Sequence, residues 1–356
     1  MENGHVPSQI NDIQTCYFWY HGCEPDNELL SVIREDQMLV VTCPESCPKL
    51  VEGFKRAGGL VLVYVSIYKA PVIAEVPDDK RKWEGGSPFR SSLESNPYWK
   101  EVDLTDHPEW ILRDGQGQPR RPFEAPLYMS GWYQTTALAE GYGRAVCRGI
   151  EALVHDGRFN GIFLDNVHPT TLPSTVQRAG RRQPAEMKAH ELAFYELIQK
   201  IRETGDKASR ERFWIQTNGS HHEVVQKIAD SMLFESFLYS WAWTEPSMDD
   251  EKAEAMLNSL AILRQRGGRP IVLPYLGFSG HDIAEDARRV RRIADRANAI
   301  FSDMFTLVRP EVVAVSARRC VETQRPEDPC YYPKAQEALN NQSAGNINAA
   351  REIYRL

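Results

Sequence analysis

The stretch Gly161-Ile162-Phe163-Leu164-Asp165-Asn166-Val167 decides the fold of this chain. It opens at a glycine and runs through three bulky apolar residues of the kind that fit a strand buried on both faces. It stops on a carboxylate and an amide, just before the turn-prone His168-Pro169. Helix-like segments lie on either side, so the strand is expected to be parallel and interior. A carboxylate at the end of such a run sits at the strand's carboxyl end, where α/β sheets and barrels keep their chemistry. A strand-end aspartate can also do no more than cap a loop or the next helix. The rest of the chain separates these two roles.

Working outward, the pattern repeats. Upstream, Cys16–His21, Gln37–Thr42 and Leu60–Tyr68 read as strands, and Pro48–Ala57 as a helix closed by Gly58-Gly59. Thr135–Val154 carries one apolar stripe at helical spacing. Downstream come a helix over Glu186–Ile201, a strand over Arg212–Asn218 and a short helix over His222–Ile228. Then follow a strand over Met232–Tyr239, a helix over Glu251–Arg264, a strand over Pro270–Gly277 and a helix over Ile283–Phe301. Met304–Val308 and Val312–Val315 both serve as the eighth strand. Strands and helices alternating without an obvious boundary predict an α/β fold, a (β/α)8 TIM barrel over residues 12–318. A doubly wound open sheet is the alternative, but no glycine-rich fingerprint follows the first strand as its nucleotide-binding form requires.

Residues 69–133 break the rhythm. They are rich in Pro, Gly, Ser and aromatic residues without clear periodicity, which predicts a long insertion after the third strand, draped over the active site. Trp83, Trp99, Trp110 and Trp132 argue that this insertion is ordered, with polar contacts to a substrate from residues such as Arg113, Arg120 or Tyr128. Residues 319–356 read as a C-terminal extension, mostly polar, with a loosely attached terminal helix.

Composition narrows the function classes. The 356 residues are 42% hydrophobic and 26% charged, an ordinary globular balance. A formal net charge of −7 implies no broad basic surface and so no nucleic-acid partner. Arg289, Arg291 and Arg292 are diluted by Glu285, Asp286 and Asp295 on a solvated helix face. No apolar run approaches the length of a membrane span, and the start Met1-Glu-Asn-Gly-His lacks a basic, apolar leader. A soluble cytoplasmic protein is expected. Seven cysteines leave at least one unpaired, as suits a reducing compartment. Cys43-Pro-Glu-Ser-Cys47, with His21 and Cys23 nearby, invites a test for zinc. Its gap is not that of the common knuckles and no second close pair exists, so buried thiols are expected and no metal.

The carboxyl ends of the strands supply the chemistry. The first offers Tyr20 and His21, the third Tyr68 and Lys69, the fourth Asp165 and Asn166 with His168 beyond. The fifth offers Asn218, the sixth Glu235 followed by Tyr239, Trp241 and Trp243, and the seventh Tyr275. Two of these are carboxylates, on strands separated by one other, so they face each other across the barrel mouth. Glu235 in Leu-Phe-Glu-Ser-Phe is flanked by apolar residues, which favours its neutral form and suits a general acid. Asp165, beside polar neighbours, is better placed to stay ionised. Two carboxyl groups with separated acidities are what glycosidic bond cleavage needs. Tyr20, His21, Tyr68, Asn166, His168, Asn218, Trp241, Trp243 and Tyr275 would bind the sugar, the tryptophans through their ring faces. No cofactor is required. Glu235 as a buried ion-pair partner and the tryptophans as core residues are the structural alternatives.

Gly161-Ile-Phe-Leu-Asp-Asn-Val167, preceded by Arg158-Phe-Asn, resembles the Gly-Phe-Asp-Gly-Ile-Phe-Leu-Asp-Asn-Val strand of glycoside-hydrolase-like barrels. The similarity is to the endo-α-1,4-polygalactosaminidase family and related glycosyl hydrolases. Asp103-Leu-Thr, His107-Pro-Glu-Trp110 and Asp114-Gly-Gln-Gly resemble that group's upstream pattern, and the similarity spans about Tyr17 to Val308. The resemblance implies that Asp165 and Glu235 are the catalytic pair. The chain departs from the group in its long third loop, its start and its tail, which leaves a small glycoside or a glycosylated metabolite open as substrate. Two further functions fit the same residues: a carbohydrate-binding or scaffold protein on a hydrolase fold, and a transferase or lyase using the two carboxyls. Sugar identity, anomeric outcome and oligomeric state are not legible in the sequence.

Overall fold

The computed structural model of the chain describes residues 10–19, 30–31, 33–77, 90–114, 116–122, 131–165, 167, 184–218, 222–235, 237–238, 246–274 and 283–303. The strands are β1 (Thr15–Trp19), β2 (Gln37–Val41), β3 (Leu60–Ser66), β4 (Lys69–Pro71), β5 (Trp132–Gln134), β6 (Gly161–Asp165), β7 (Trp214–Asn218), β8 (Ser231–Glu235), β9 (Arg269–Leu273) and β10 (Ile300–Asp303). Eight of them, all but β4 and β5, form one closed parallel barrel in the order β1-β2-β3-β6-β7-β8-β9-β10. The chain is therefore a (β/α)8 TIM barrel, as its alternating pattern predicts.

The apolar strands close this way because each is buried on both faces, by barrel interior on one side and helices on the other. Parallel register sets which residues share the interior. Tyr64 pairs with Phe163 and Ser66 with Asp165, while Phe163 pairs in turn with Gln216. Phe18 meets Phe163 edge-on at 5.3 Å, filling the middle of the barrel. Gly161 allows β6 its close approach to β7: a Cβ there would lie 1.9 Å from the Trp214 carbonyl oxygen.

The amino-terminal face is closed by charge networks. Arg269, at the start of β9, donates to the carbonyl oxygens of Ile13 (2.7 Å) and Asn298 (3.2 Å), and burial lowers its pKa. Asp230 accepts from Arg202, Arg212 and the Ile215 amide. These contacts tie helix ends to strand starts, a stabilising role typical of that face.

Several elements differ from the sequence reading. The eighth barrel strand is Ile300–Asp303, earlier than either expected segment; the preceding helix stops at Arg296, where Asn298 turns the chain at φ 46°. Both expected segments, and the terminal helix of the 319–356 extension, lie outside the described residues. The helix expected over Thr135–Val154 runs over Tyr142–Asp156. Trp132–Gln134 is a strand, the Thr135 amide donates to the Tyr68 carbonyl and that of Thr136 to the Trp110 carbonyl, and turns lead from there to the helix. Gly141, at φ 87°, makes the turn into the helix. The single helix expected over Glu251–Arg264 is two, Asp250–Asn258 and Ala261–Gln265. No described helix is long and apolar enough to cross a membrane.

The insertion is folded around short elements. Its neck is an antiparallel pair, β4 with β5, in which Lys69 faces Gln134. Short helices Arg90–Ser95 and Pro97–Glu101 follow, with Asn96 capping the second through the Tyr98 amide. Trp99 and Trp132 are buried and cross edge-on at 5.0 Å. Tyr98 donates to the Ser66 carbonyl at 2.7 Å and packs on Gly149, where a Cβ would come within 2.7 Å of its ring. Trp110 is buried too; Trp83 and Tyr128 lie outside the described residues.

Candidate active site

Three strand ends converge at the carboxyl-terminal mouth of the barrel. Asp165 is the last residue of β6, Asn218 of β7 and Glu235 of β8. Adjacent parallel strands in register turn these terminal side chains to one face. The Asn218 amide nitrogen donates to Asp165 Oδ1 at 2.9 Å and to Glu235 Oε2 at 2.9 Å. One neutral side chain thus spans two carboxylates and spends both its N–H groups doing so.

Asp165 is 9% exposed and held on its second oxygen as well. Tyr64, two residues before the end of β3, donates its hydroxyl to Asp165 Oδ2 at 2.8 Å. The Lys69 ammonium lies 4.0 Å from the same oxygen and is itself 3% exposed. Tyr64 is flanked by Phe163 (6.0 Å between ring centres) and by Trp99 of the insertion (6.3 Å). The aspartate is thereby gripped from the β7 side on one oxygen and from the β3 side on the other.

Glu235 is exposed at the mouth. The sequence places it inside an apolar run, but β8 ends on it, and Leu238, three residues later, adopts φ 62°. Leu233 and Phe234 are buried in the barrel and its shell, whereas the Glu235 side chain meets the opening. Tyr68 is buried beside Lys69, whose ammonium stands 5.5 Å from the ring centre. Tyr20, His21, Asn166, His168, Trp241, Trp243 and Tyr275 lie outside the described residues.

Tyr64 is absent from the residues expected from sequence, and Lys69 is offered there at the end of the third strand without a role. Tyr64 reads as one more large residue in a buried strand. Its only signal is parity: counting back by two from Ser66, which pairs with Asp165, puts it on the interior face. Lys69 reads as the start of an irregular loop. Its signal is a charge directly after nine strand-like residues.

A second junction ties the insertion to the barrel. Glu45, in the loop after β2, accepts from Ser92 Oγ (3.1 Å) in the insertion and from Arg158 Nη2 (3.3 Å) just before β6. Burial pushes its carboxyl above the ordinary value, against the opposing pull of Arg158. Arg113 is exposed and bonds the Gly117 carbonyl within its own turn. Cys43 and Cys47 are buried thiols, Cys47 donating to the Cys43 carbonyl. Among the described residues no three His, Cys, Asp or Glu side chains cluster to hold a metal ion.

No family model matches the chain, and a comparison with curated proteins found none similar. Solved structures do match. Trehalose-6-phosphate hydrolase of Bacillus licheniformis is similar at a TM-score of 0.54 and 10% identity, over 96% of this chain and 74% of that one. The glycoside hydrolase domain of PelA from Pseudomonas aeruginosa is similar at 0.47 and 13%, over 81% and 94%. Aspergillus fumigatus Ega3 in complex with galactosamine is similar at 0.47 and 12%, over 86% and 97%. At such identities the shared feature is the barrel, a fold this chain has in common with glycoside hydrolases.

Proposed function

We propose that this chain is a glycoside hydrolase that cleaves its substrate with retention, Asp165 acting as nucleophile and Glu235 as acid and then base. The observation that carries this reading is the Asn218 bridge, 2.9 Å from an oxygen of each carboxylate. The two N–H bonds of an amide diverge by roughly 120°, so the two accepting oxygens stand about 5 Å apart. That spacing fits the roughly 5–5.5 Å of retaining enzymes and is too short to seat the water of an inverting one.

In the first step Glu235, open to the mouth, protonates the leaving oxygen while Asp165 attacks the anomeric carbon. The glycosidic C–O bond breaks, a C–O bond to Asp165 forms, and the aglycone departs with the proton. In the second step Glu235 takes a proton from water, which displaces Asp165 from the sugar. Asp165 suits the nucleophile's role because both oxygens are held, so it meets the sugar in one orientation. The substrate is a carbohydrate or glycosylated small molecule, reached through a mouth walled on one side by the 69–133 insertion. No cofactor takes part in these steps. The reduced thiols of Cys16, Cys43, Cys47 and Cys147 support a cytoplasmic setting.

The test is hydrolysis of a panel of aryl and natural glycosides with the product anomer read by NMR. Wild type turns over at least one glycoside with retention, and Asp165→Asn stays folded, binds the sugar and loses turnover. A wild type that is inert across the panel yet gains thermal stability from a sugar would identify a carbohydrate-binding protein instead.

A further inference from the structure

We propose that Lys69 is a positioning residue for Asp165, which makes the neck of the insertion part of the reaction apparatus and not only a wall of the cleft. The kinetic side of this inference rests on the hydrolase reading above; the pairing of the two charges rests on geometry alone.

Lys69 is 3% exposed, and its ammonium stands 4.0 Å from Asp165 Oδ2. A buried ammonium is tolerated only where an opposite charge or several acceptors face it. Asp165 supplies the charge. The same oxygen accepts from Tyr64 at 2.8 Å, while Asn218 takes the other oxygen. A carboxylate restrained on both oxygens is stopped from rotating about its terminal torsion, where an unrestrained one is broadly free.

The place of Lys69 is set by the neck. It is the first residue of β4 and pairs with Gln134 of the returning strand. On one side the Thr135 amide donates to the Tyr68 carbonyl at 2.8 Å; on the other the Val72 amide donates to Gly131 at 2.8 Å. Trp132, between them, is buried against Trp99, whose ring also flanks Tyr64. Closing the neck therefore fixes the ammonium and supports the tyrosine that grips the same oxygen. Because Lys69 is buried, its effect on a bound sugar passes through Asp165. Its loss is expected in kcat and not in KM.

The test compares wild type with K69M, K69R, D165N and the K69M/D165N pair. Thermal melting needs no substrate. If the two charges are partners, the double substitution costs less than the two single shifts together, by about 1–2 °C, the shift that roughly one kcal/mol gives in a domain of this size. In assays on the glycoside that wild type hydrolyses, K69M lowers kcat by about 10²-fold with KM nearly unchanged, as for a misplaced reacting group. K69R, which keeps the charge, recovers part of that loss and serves if K69M does not fold. Additive melting shifts, or a K69M effect confined to KM, would overturn the proposal while leaving the hydrolase reading in place. Absence of turnover in wild type would refute the hydrolase reading instead, and the melting cycle would still decide the pairing.

Discussion

Replacing Asn218 by leucine keeps the branching of the side chain and removes both N–H groups that join Asp165 to Glu235. A hydrogen bond to a charged acceptor contributes about 1.5–3 kcal/mol. The bond to Asp165, which is 9% exposed, is expected near the middle of that range. The bond to exposed Glu235 is readily replaced by water and is expected to add little. The total is about 2–3 kcal/mol, and if it is expressed in the transition state kcat/KM falls about 30- to 150-fold. The loss should be larger in kcat than in KM, because the bridge sets the spacing of groups that act on the reacting centre. The assay is steady-state hydrolysis of the best glycoside from the panel, with melting temperature as the control for folding. If N218L stays within about threefold of wild type while D165N is inert, the bridge is not what spaces the pair. The retaining geometry argued from it then fails.

Trp99→Ala empties a fully buried site between Tyr98, Trp132 and Tyr64. A loss of about 3–5 kcal/mol in urea unfolding is expected, with lowered activity because Tyr64 loses a wall; an undiminished stability would show that the insertion's aromatic core does not carry its fold. Glu45 offers a pH test. Burial raises its folded-state pKa above the ordinary 4.5, so its contribution to stability is fully present below that value and is lost as pH rises through the raised one. Glu45→Gln removes this dependence. The melting temperature of E45Q relative to wild type should therefore be most favourable near neutral pH and decline on acidification; a difference independent of pH would refute the sign.

Hydrophobic patterning alone determined the barrel. Strands such as Leu60–Ser66 and Gly161–Asp165 are buried on both faces, and that double burial leaves a run of β-branched and aromatic residues no other element shares. Where a charge ends such a run, as at Asp165, the sequence also marks the carboxyl-terminal mouth of the barrel. Boundaries were less legible. Ile67-Tyr68 and Phe237-Leu238 are as strand-prone as their neighbours, yet the ladders stop before them, because pairing with adjacent strands sets strand length and composition does not. The eighth strand hid at a helix end, since its separation from the helix depends on one residue, Asn298, entering the left-handed region. The groups around Asp165 belong to tertiary structure in a stronger sense. Tyr64 is an ordinary core residue until the β3–β6 register sets it below Ser66 and beside the carboxylate. Lys69 is an ordinary loop lysine until β5 returns from far along the chain to clamp it. Local sequence sets which residues prefer a strand or a helix, but the field at a carboxylate depends on what lies within a few ångströms, and only closure of the barrel and of the neck brings those groups there.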